Sequence, residues 1–237
     1  MPSEFYVHNL GCKLNRVESD ALGAALLAAG ASAVARDEAQ VVIVNTCTVT
    51  AEAEAKTRKA IRQALAGPTA PWVIATGCAI AIDIAGYQAL GPRVVAEPDR
   101  LQAQSRALTL LGLSDVSAAT ATSSLSSPAN GRESLRTQSA TPHQERAARH
   151  TISRSRLGIK IQDGCDGICS YCIVRVARGP ARSIPLAQVR EQARAAEQQG
   201  FRELVLTGVN IGSYNDGGRH FTQLVAELLN TTTETRI

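Results

Sequence analysis

Three short apolar runs punctuate the first third of the chain, and each leads directly into a cysteine. Glu4-Phe5-Tyr6-Val7-His8-Asn9-Leu10 runs into Gly11-Cys12, Val41-Val42-Ile43-Val44 into Asn45-Thr46-Cys47, and Trp72-Val73-Ile74-Ala75-Thr76 into Gly77-Cys78. Runs of this length read as strands, and one without polar alternation reads as a parallel strand covered on both faces. Helical segments are expected between them. One is expected to be capped by Asn15, to run from Arg16 to about Ala29 and to end at Gly30; the other spans roughly Thr50 to Ala66 and stops at Gly67-Pro68. A short strand is expected near Ala33–Val34. This alternation predicts an α/β fold with an open parallel sheet. The cysteines stand 35 and 31 residues apart, one strand–helix–strand repeat each. Parallel strands point the same way, so Cys12, Cys47 and Cys78 should emerge together at the carboxyl edge, where such sheets bind ligands. A single cysteine can simply be a small buried hydrophobe. Three at successive strand ends read as a three-thiolate cluster site.

The other three cysteines lie in one loop, Cys165-Asp166-Gly167-Ile168-Cys169-Ser170-Tyr171-Cys172, preceded by Gly164. This spacing lets one loop present three sulfurs to three corners of a [4Fe–4S] cube, leaving the fourth iron without a protein ligand. A zinc knuckle and a disulfide pair are the alternatives. Zinc usually takes four N/S ligands in paired C-x2-C units, and no fourth Cys or nearby His follows here. Six cysteines without a secretion signal favour metal or redox use over disulfides.

Composition narrows the remaining choices. Apolar residues make up 44%, enough for a core, but no run approaches membrane-spanning length and the N-terminus lacks a signal pattern. A cytoplasmic protein with no membrane partner is expected. Aromatics are only 3%, so stacking on aromatic platforms is not expected to be the main mode of any nucleic-acid binding. Residues 1–112 carry ten basic and ten acidic side chains, 113–150 four and three, and 151–237 eleven and eight. The basic excess is therefore mainly C-terminal, with Arg154, Arg156, Arg175, Arg178 and Arg182 bracketing the cysteine loop. Arginine suits bidentate phosphate contact, but so small an excess equally fits a solvated face.

Residues 113–150 turn to Ser, Ala, Thr, Gln and Arg with little periodicity and read as a low-complexity linker. The expected domains are therefore 1–112 and 151–237. In the second, Leu157–Ile161 reads as a strand ending at the Cys165 loop, and Pro185 opens a helix to about Gln199, closed by Gly200. Glu203–Leu206 is a second strand, followed by Thr207-Gly208-Val209-Asn210, and Thr222 to about Leu229 is a second helix.

Cys165-x3-Cys169-x2-Cys172, with Tyr171 before the last cysteine, resembles the signature of radical S-adenosylmethionine enzymes. The resemblance implies that the open iron chelates the methionine moiety of S-adenosyl-L-methionine. Reductive cleavage of the sulfonium would then yield a 5′-deoxyadenosyl radical. It also implies that Thr207, Gly208 and Asn210, after the second strand, contact this cofactor.

Gly11-Cys12-Lys13-Leu14-Asn15, Val44-Asn45-Thr46-Cys47 and Ala75-Thr76-Gly77-Cys78 resemble the three cysteine motifs of the methylthiotransferase N-terminal domain. That likeness implies a second [4Fe–4S] cluster, on Cys12, Cys47 and Cys78, whose open iron carries the sulfur to be inserted. The implied fold is this α/β domain followed by the first βα units of a radical-enzyme partial TIM barrel. Ile161-Gln162-Asp163-Gly164-Cys165, Ala177-Arg178-Gly179-Pro180 and Leu206-Thr207-Gly208-Val209-Asn210-Ile211-Gly212 resemble the subfamily that acts on N6-threonylcarbamoyladenosine in tRNA. Its activity would place a methylthio group at C2 of the adenine beside the anticodon, with tRNA as substrate and a flavodoxin or ferredoxin as reductant. Further barrel strands and an RNA-binding domain belong to the family pattern, so a truncated or remnant enzyme with impaired tRNA activity is expected. A non-catalytic iron–sulfur or zinc protein, and an enzyme acting on isopentenyladenosine, are the alternatives.

Overall fold

The computed structural model describes residues 3–47, 51–113 and 156–237. They form two compact units: residues up to 113 together with Gly164–Pro180, and residues 156–163 together with Ala181–Ile237. Apart from Leu113, the linker expected over 113–150 lies outside the described residues.

In the first unit β1 (Glu4–Asn9), β2 (Ser32–Ala33), β3 (Val41–Thr46), β4 (Trp72–Gly77) and β5 (Val94–Ala96) build one sheet in the order β2-β1-β3-β4-β5. Every neighbouring pair is parallel. The order reverses between β1 and β3, which opens a crevice at their carboxyl ends. Helices α1 (Lys13–Ala28), α2 (Ala51–Leu65), α3 (Cys78–Ile82), α4 (Ile84–Gln88) and α5 (Arg100–Leu110) cover the faces. Val41, Ile43 and Ile74 pack with Leu22 and Leu26 of α1 and Ala103, Ala107 and Leu108 of α5. Val42, Val44, Val73 and Ala75 pack on the other face with Ile61 of α2, Ile80 of α3 and Tyr87 of α4. Both faces are thus sealed. That is why β3 reads as an unbroken apolar run rather than an alternating one.

One local expectation is corrected. Asn15 does not cap the first helix, which begins at Lys13 with Cys12 in the capping position. Asn15 is fully buried, and its amide donates to Asn45 Oδ1 at 3.0 Å and to the Thr46 carbonyl at 2.8 Å. A buried amide needs several partners, and the end of β3 supplies more of them than a helix start does. Helix α5 and strand β5 had no counterpart in the sequence reading. Asp99 caps α5 by accepting from the Gln102 N–H at 2.9 Å, and Ala103, Ala107 and Leu111 recur at helical spacing on its buried side.

Gly164–Pro180, which carries α6 (Val174–Arg178), belongs to this first unit, although the sequence boundary at 151 assigned it elsewhere. Its α6 packs on α3 and finds buried polar partners there.

In the second unit β6 (Arg156–Lys160) pairs in parallel with β9 (Glu203–Thr207), and α7 (Leu186–Gln198) makes the crossover between them. Two-residue strands β7 (Gln162–Asp163) and β8 (Arg182–Ser183) pair antiparallel. Helix α8 (Phe221–Thr231) brings Leu224 and Leu228 onto Ile159, Ile161, Val189, Leu204 and Tyr214. Among the described residues no helix is long and apolar enough to cross a membrane.

Ile43 is central to the sheet and fully buried. Ile43→Ala is expected to destabilise the chain by roughly 2–5 kcal/mol through lost burial and a residual cavity. A fall in the urea midpoint at unchanged slope checks it.

Candidate metal centre

The sheet register aligns the strand-end cysteines. Asn9 stands opposite Asn45, Asn45 opposite Thr76, and Thr46 opposite Gly77. Cys47 and Cys78 each follow that last pair by one residue, and Cys12 lies three beyond Asn9, at the head of α1. All three therefore sit at the carboxyl edge of adjacent strands. Gly77 makes the tight exit from β4 possible. Its φ is +99°, and a Cβ there would lie 2.5 Å from the Thr46 carbonyl oxygen, so only glycine fits.

A buried polar cluster ties these strand ends together. Asn45 donates to the Asn15 carbonyl at 2.9 Å and to Ser19 Oγ at 3.0 Å, and Thr46 Oγ1 donates to the Thr76 carbonyl at 2.7 Å. The Cys12 thiol donates to Asn15 Oδ1 at 3.1 Å. Arg178 Nε donates to Cys78 Sγ at 3.1 Å, and its Nη2 donates to the same Asn15 oxygen at 3.2 Å. Glu18 accepts from Arg178 Nη1 at 2.9 Å and Nη2 at 3.3 Å. Arg100 Nε stands 2.6 Å from Glu18 as a charge contact rather than an aligned hydrogen bond. Burial pushes the Cys78 thiol above its ordinary range, opposed chiefly by the nearby Arg178 and Arg100 charges, while Cys47 adds to the rise. The thiol is thus held between desolvation and two guanidinium groups. That setting suits a sulfur whose negative charge is shared with a metal group.

The second set of cysteines lies in a loop closed on itself. The Cys165 N–H donates to the Gly179 carbonyl at 3.1 Å, Arg175 Nη1 donates to the Asp166 carbonyl at 2.7 Å, and the Cys172 N–H donates to the Cys169 carbonyl at 3.0 Å. Gly164 has φ +69°, and a Cβ there would lie 1.9 Å from the Pro180 carbonyl oxygen. A Cβ at Gly167 would meet Cys165 Sγ at 3.3 Å and Cys169 Sγ at 3.7 Å, so two thiols converge on one small space that glycine leaves open. Cys169 and Cys172 are exposed, as are the neighbouring Ile168 and Tyr171. All six cysteines are free. Among the described residues, no three His, Cys, Asp or Glu side chains are grouped to hold a single metal ion. Sulfurs on the corners of a cube stand farther apart than donors that share one ion.

Thr207, Gly208 and Asn210 follow β9 in the second unit. The Thr207 carbonyl accepts from the Ile161 N–H at 2.9 Å. The buried Gln162 accepts from the Asn210 N–H at 2.8 Å and donates to the Asp163 carbonyl at 2.9 Å. A Cβ on Gly208 would approach Gln162 at 3.0 Å. The turn is therefore braced from beneath, with Asn210 itself exposed.

Sequence reasoning placed Arg178 among arginines flanking a loop and missed its buried partners Glu18, Asn15 and Cys78. Its side chain is 3% exposed and that of Glu18 is 6% exposed. The available signal was its place in Ala177-Arg178-Gly179-Pro180, directly after the cysteine loop. Pairing at a separation of 160 residues leaves no trace in local pattern.

Residues 4–94 match the family model described as uncharacterized protein family UPF0004, and residues 159–236 match the radical SAM superfamily. The chain is 31% identical to the threonylcarbamoyladenosine tRNA methylthiotransferase MtaB of Treponema pallidum, over 92% of this chain and 56% of that protein. It is 31% identical to MtaB of Bacillus subtilis, over 93% and 47%. It is 29% identical to the tRNA-2-methylthio-N(6)-dimethylallyladenosine synthase of Nitratidesulfovibrio vulgaris, over 95% and 48%. In fold it is similar to TsrM of Kitasatospora setae, a radical S-adenosylmethionine methyltransferase solved with cobalamin and a [4Fe–4S] cluster. That likeness has a TM-score of 0.54 at 17% identity, over 96% of this chain and 52% of that one. The chain belongs to the radical S-adenosylmethionine methylthiotransferase family. It spans about half the length of the curated relatives it matches.

Gly164→Ala should lower the stability of the first unit by at least ~1 kcal/mol, because it adds left-handed strain to a backbone clash. A lower thermal midpoint, with earlier proteolytic cleavage between 164 and 180, checks it.

Proposed function

We propose that this chain forms the sulfur-carrying domain and the opening of the radical domain of a tRNA methylthiotransferase. The enzyme converts N6-threonylcarbamoyladenosine next to the anticodon to its 2-methylthio derivative. The observation that carries the reading is the alignment of Cys12, Cys47 and Cys78 at one sheet edge, in a chain whose second cysteine set fills a closed loop. The names of the relatives support the substrate class.

Cys165, Cys169 and Cys172 are assigned one [4Fe–4S] cluster, and Cys12, Cys47 and Cys78 a second. Each set offers three free thiols, which supports the assignment and would leave one iron of each cluster open. When bound, the clusters supply one-electron reduction of S-adenosyl-L-methionine and a place for the transferred sulfur. The chain's own residues bind and orient. The Gly179 carbonyl and Arg175 hold the ends of the loop together. Gln162 fixes the Thr207–Asn210 turn, which is assigned to the S-adenosyl-L-methionine amino group. The partners are tRNA and a flavodoxin or ferredoxin reductant, which places the protein in the cytoplasm.

Anaerobic reconstitution is expected to give about eight iron and eight sulfide per chain, falling to about four of each when either triad is changed to alanine. Stoichiometric zinc without iron would overturn the reading in favour of a structural remnant. Nucleoside analysis of tRNA from a strain lacking the protein should show loss of 2-methylthio-N6-threonylcarbamoyladenosine. Loss of the isopentenyl counterpart instead would reassign the substrate, and the dimethylallyladenosine synthase relatives make that comparison necessary.

A further inference from the structure

We propose that Arg178 is a positioning residue that orients the Cys78 sulfur and raises the electron affinity of the cluster held by the strand-end cysteines. This rests on the reading that Cys12, Cys47 and Cys78 carry a cluster. Its guanidinium reaches one of the three sulfurs directly and a side chain beside a second. Nε donates directly to Cys78 Sγ at 3.1 Å. Nη2 donates at 3.2 Å to Asn15 Oδ1, the oxygen on which the Cys12 thiol rests at 3.1 Å. Glu18 accepts from both Nη1 and Nη2 and so fixes the plane of the fork.

Charge makes the contact consequential. Arginine does not lose its proton in a protein, so the buried side chain keeps its positive charge beside sulfur. Glu18 is shared between Arg178 and Arg100, so two guanidiniums face one carboxylate. Hydrogen bonds to the sulfurs and a local positive charge both favour the reduced, more negative state of an iron–sulfur cluster. The donor also comes from an informative place. Arg178 lies six residues after Cys172, in the helix that closes the other cysteine loop and packs on α3, which begins at Cys78. The segment that carries one triad therefore completes the surroundings of the other.

The test uses the full chain with Cys165, Cys169 and Cys172 changed to alanine, so that iron reports the strand-end site alone. Arg178, Arg178→Lys and Arg178→Gln forms are reconstituted and titrated with a chemical reductant, followed by electron paramagnetic resonance. Arg178→Gln should retain about four iron. Its cluster should be at least tenfold harder to reduce, a midpoint about 59 mV more negative for one electron. Arg178→Lys should fall between, since it keeps the charge but cannot span Cys78, Asn15 and Glu18 together. Iron lost from either variant, with circular dichroism and unfolding midpoint preserved, also supports the positioning role. Full iron with an unchanged midpoint overturns this inference and leaves the cluster reading standing. No iron in the Arg178 parent overturns the cluster reading and the inference with it. Iron lost only together with the fold makes Arg178 a packing residue and overturns the inference.

Discussion

Parallel pairing of β1, β3 and β4 is the constraint on which the candidate site depends. Because the three strands run the same way and in register, their carboxyl ends share one edge, and whatever follows each strand is delivered there. An antiparallel neighbour would have sent one cysteine to the opposite edge. The parallel arrangement needs crossover helices, and these cover both faces with apolar side chains. The sandwich that stabilises the unit is therefore also what lines up Cys12, Cys47 and Cys78.

Where the strands end, apolar packing gives way to a buried polar cluster. Asn15, Ser19, Asn45 and Thr46 lie inside the protein and bond to one another and to the Thr76 carbonyl rather than to water. Such groups are costly if any partner is lost, and they admit few alternative arrangements. Arg178 and Glu18 extend the cluster with a buried ion pair, whose desolvation cost offsets much of its attraction. A pair of that kind is a poor way to gain stability. It does fix a guanidinium at a chosen sulfur.

The cysteine loop answers a different demand. It stays outside the apolar core, with Cys169, Cys172, Ile168 and Tyr171 exposed. Its shape comes from backbone closure at Gly164 and Gly179 and from Arg175 reaching across. Its anchorage comes from α6 against α3 and from Arg178.

Much of this was legible from residue order. The strands, their parallel direction, the helices between them and the six cysteines follow from apolar period and spacing, because those signals act over a few residues and are set by solvent exclusion. Asn15 shows where such reading stops: its residue type favours a helix cap, yet β3, thirty residues on, claims its side chain. Helix α5 was overlooked although Asp99 and the Ala103–Ala107 spacing announce it. The grouping of Gly164–Pro180 with the N-terminal sheet, and the seating of Arg178 between Cys78, Asn15 and Glu18, were not visible at all. By itself the sequence determined which atoms could bind a metal group and on which edge they would lie. Only the tertiary structure decided which charge sits beside them, because that pairing joins residues 100 to 163 positions apart and depends on packing, not on local pattern.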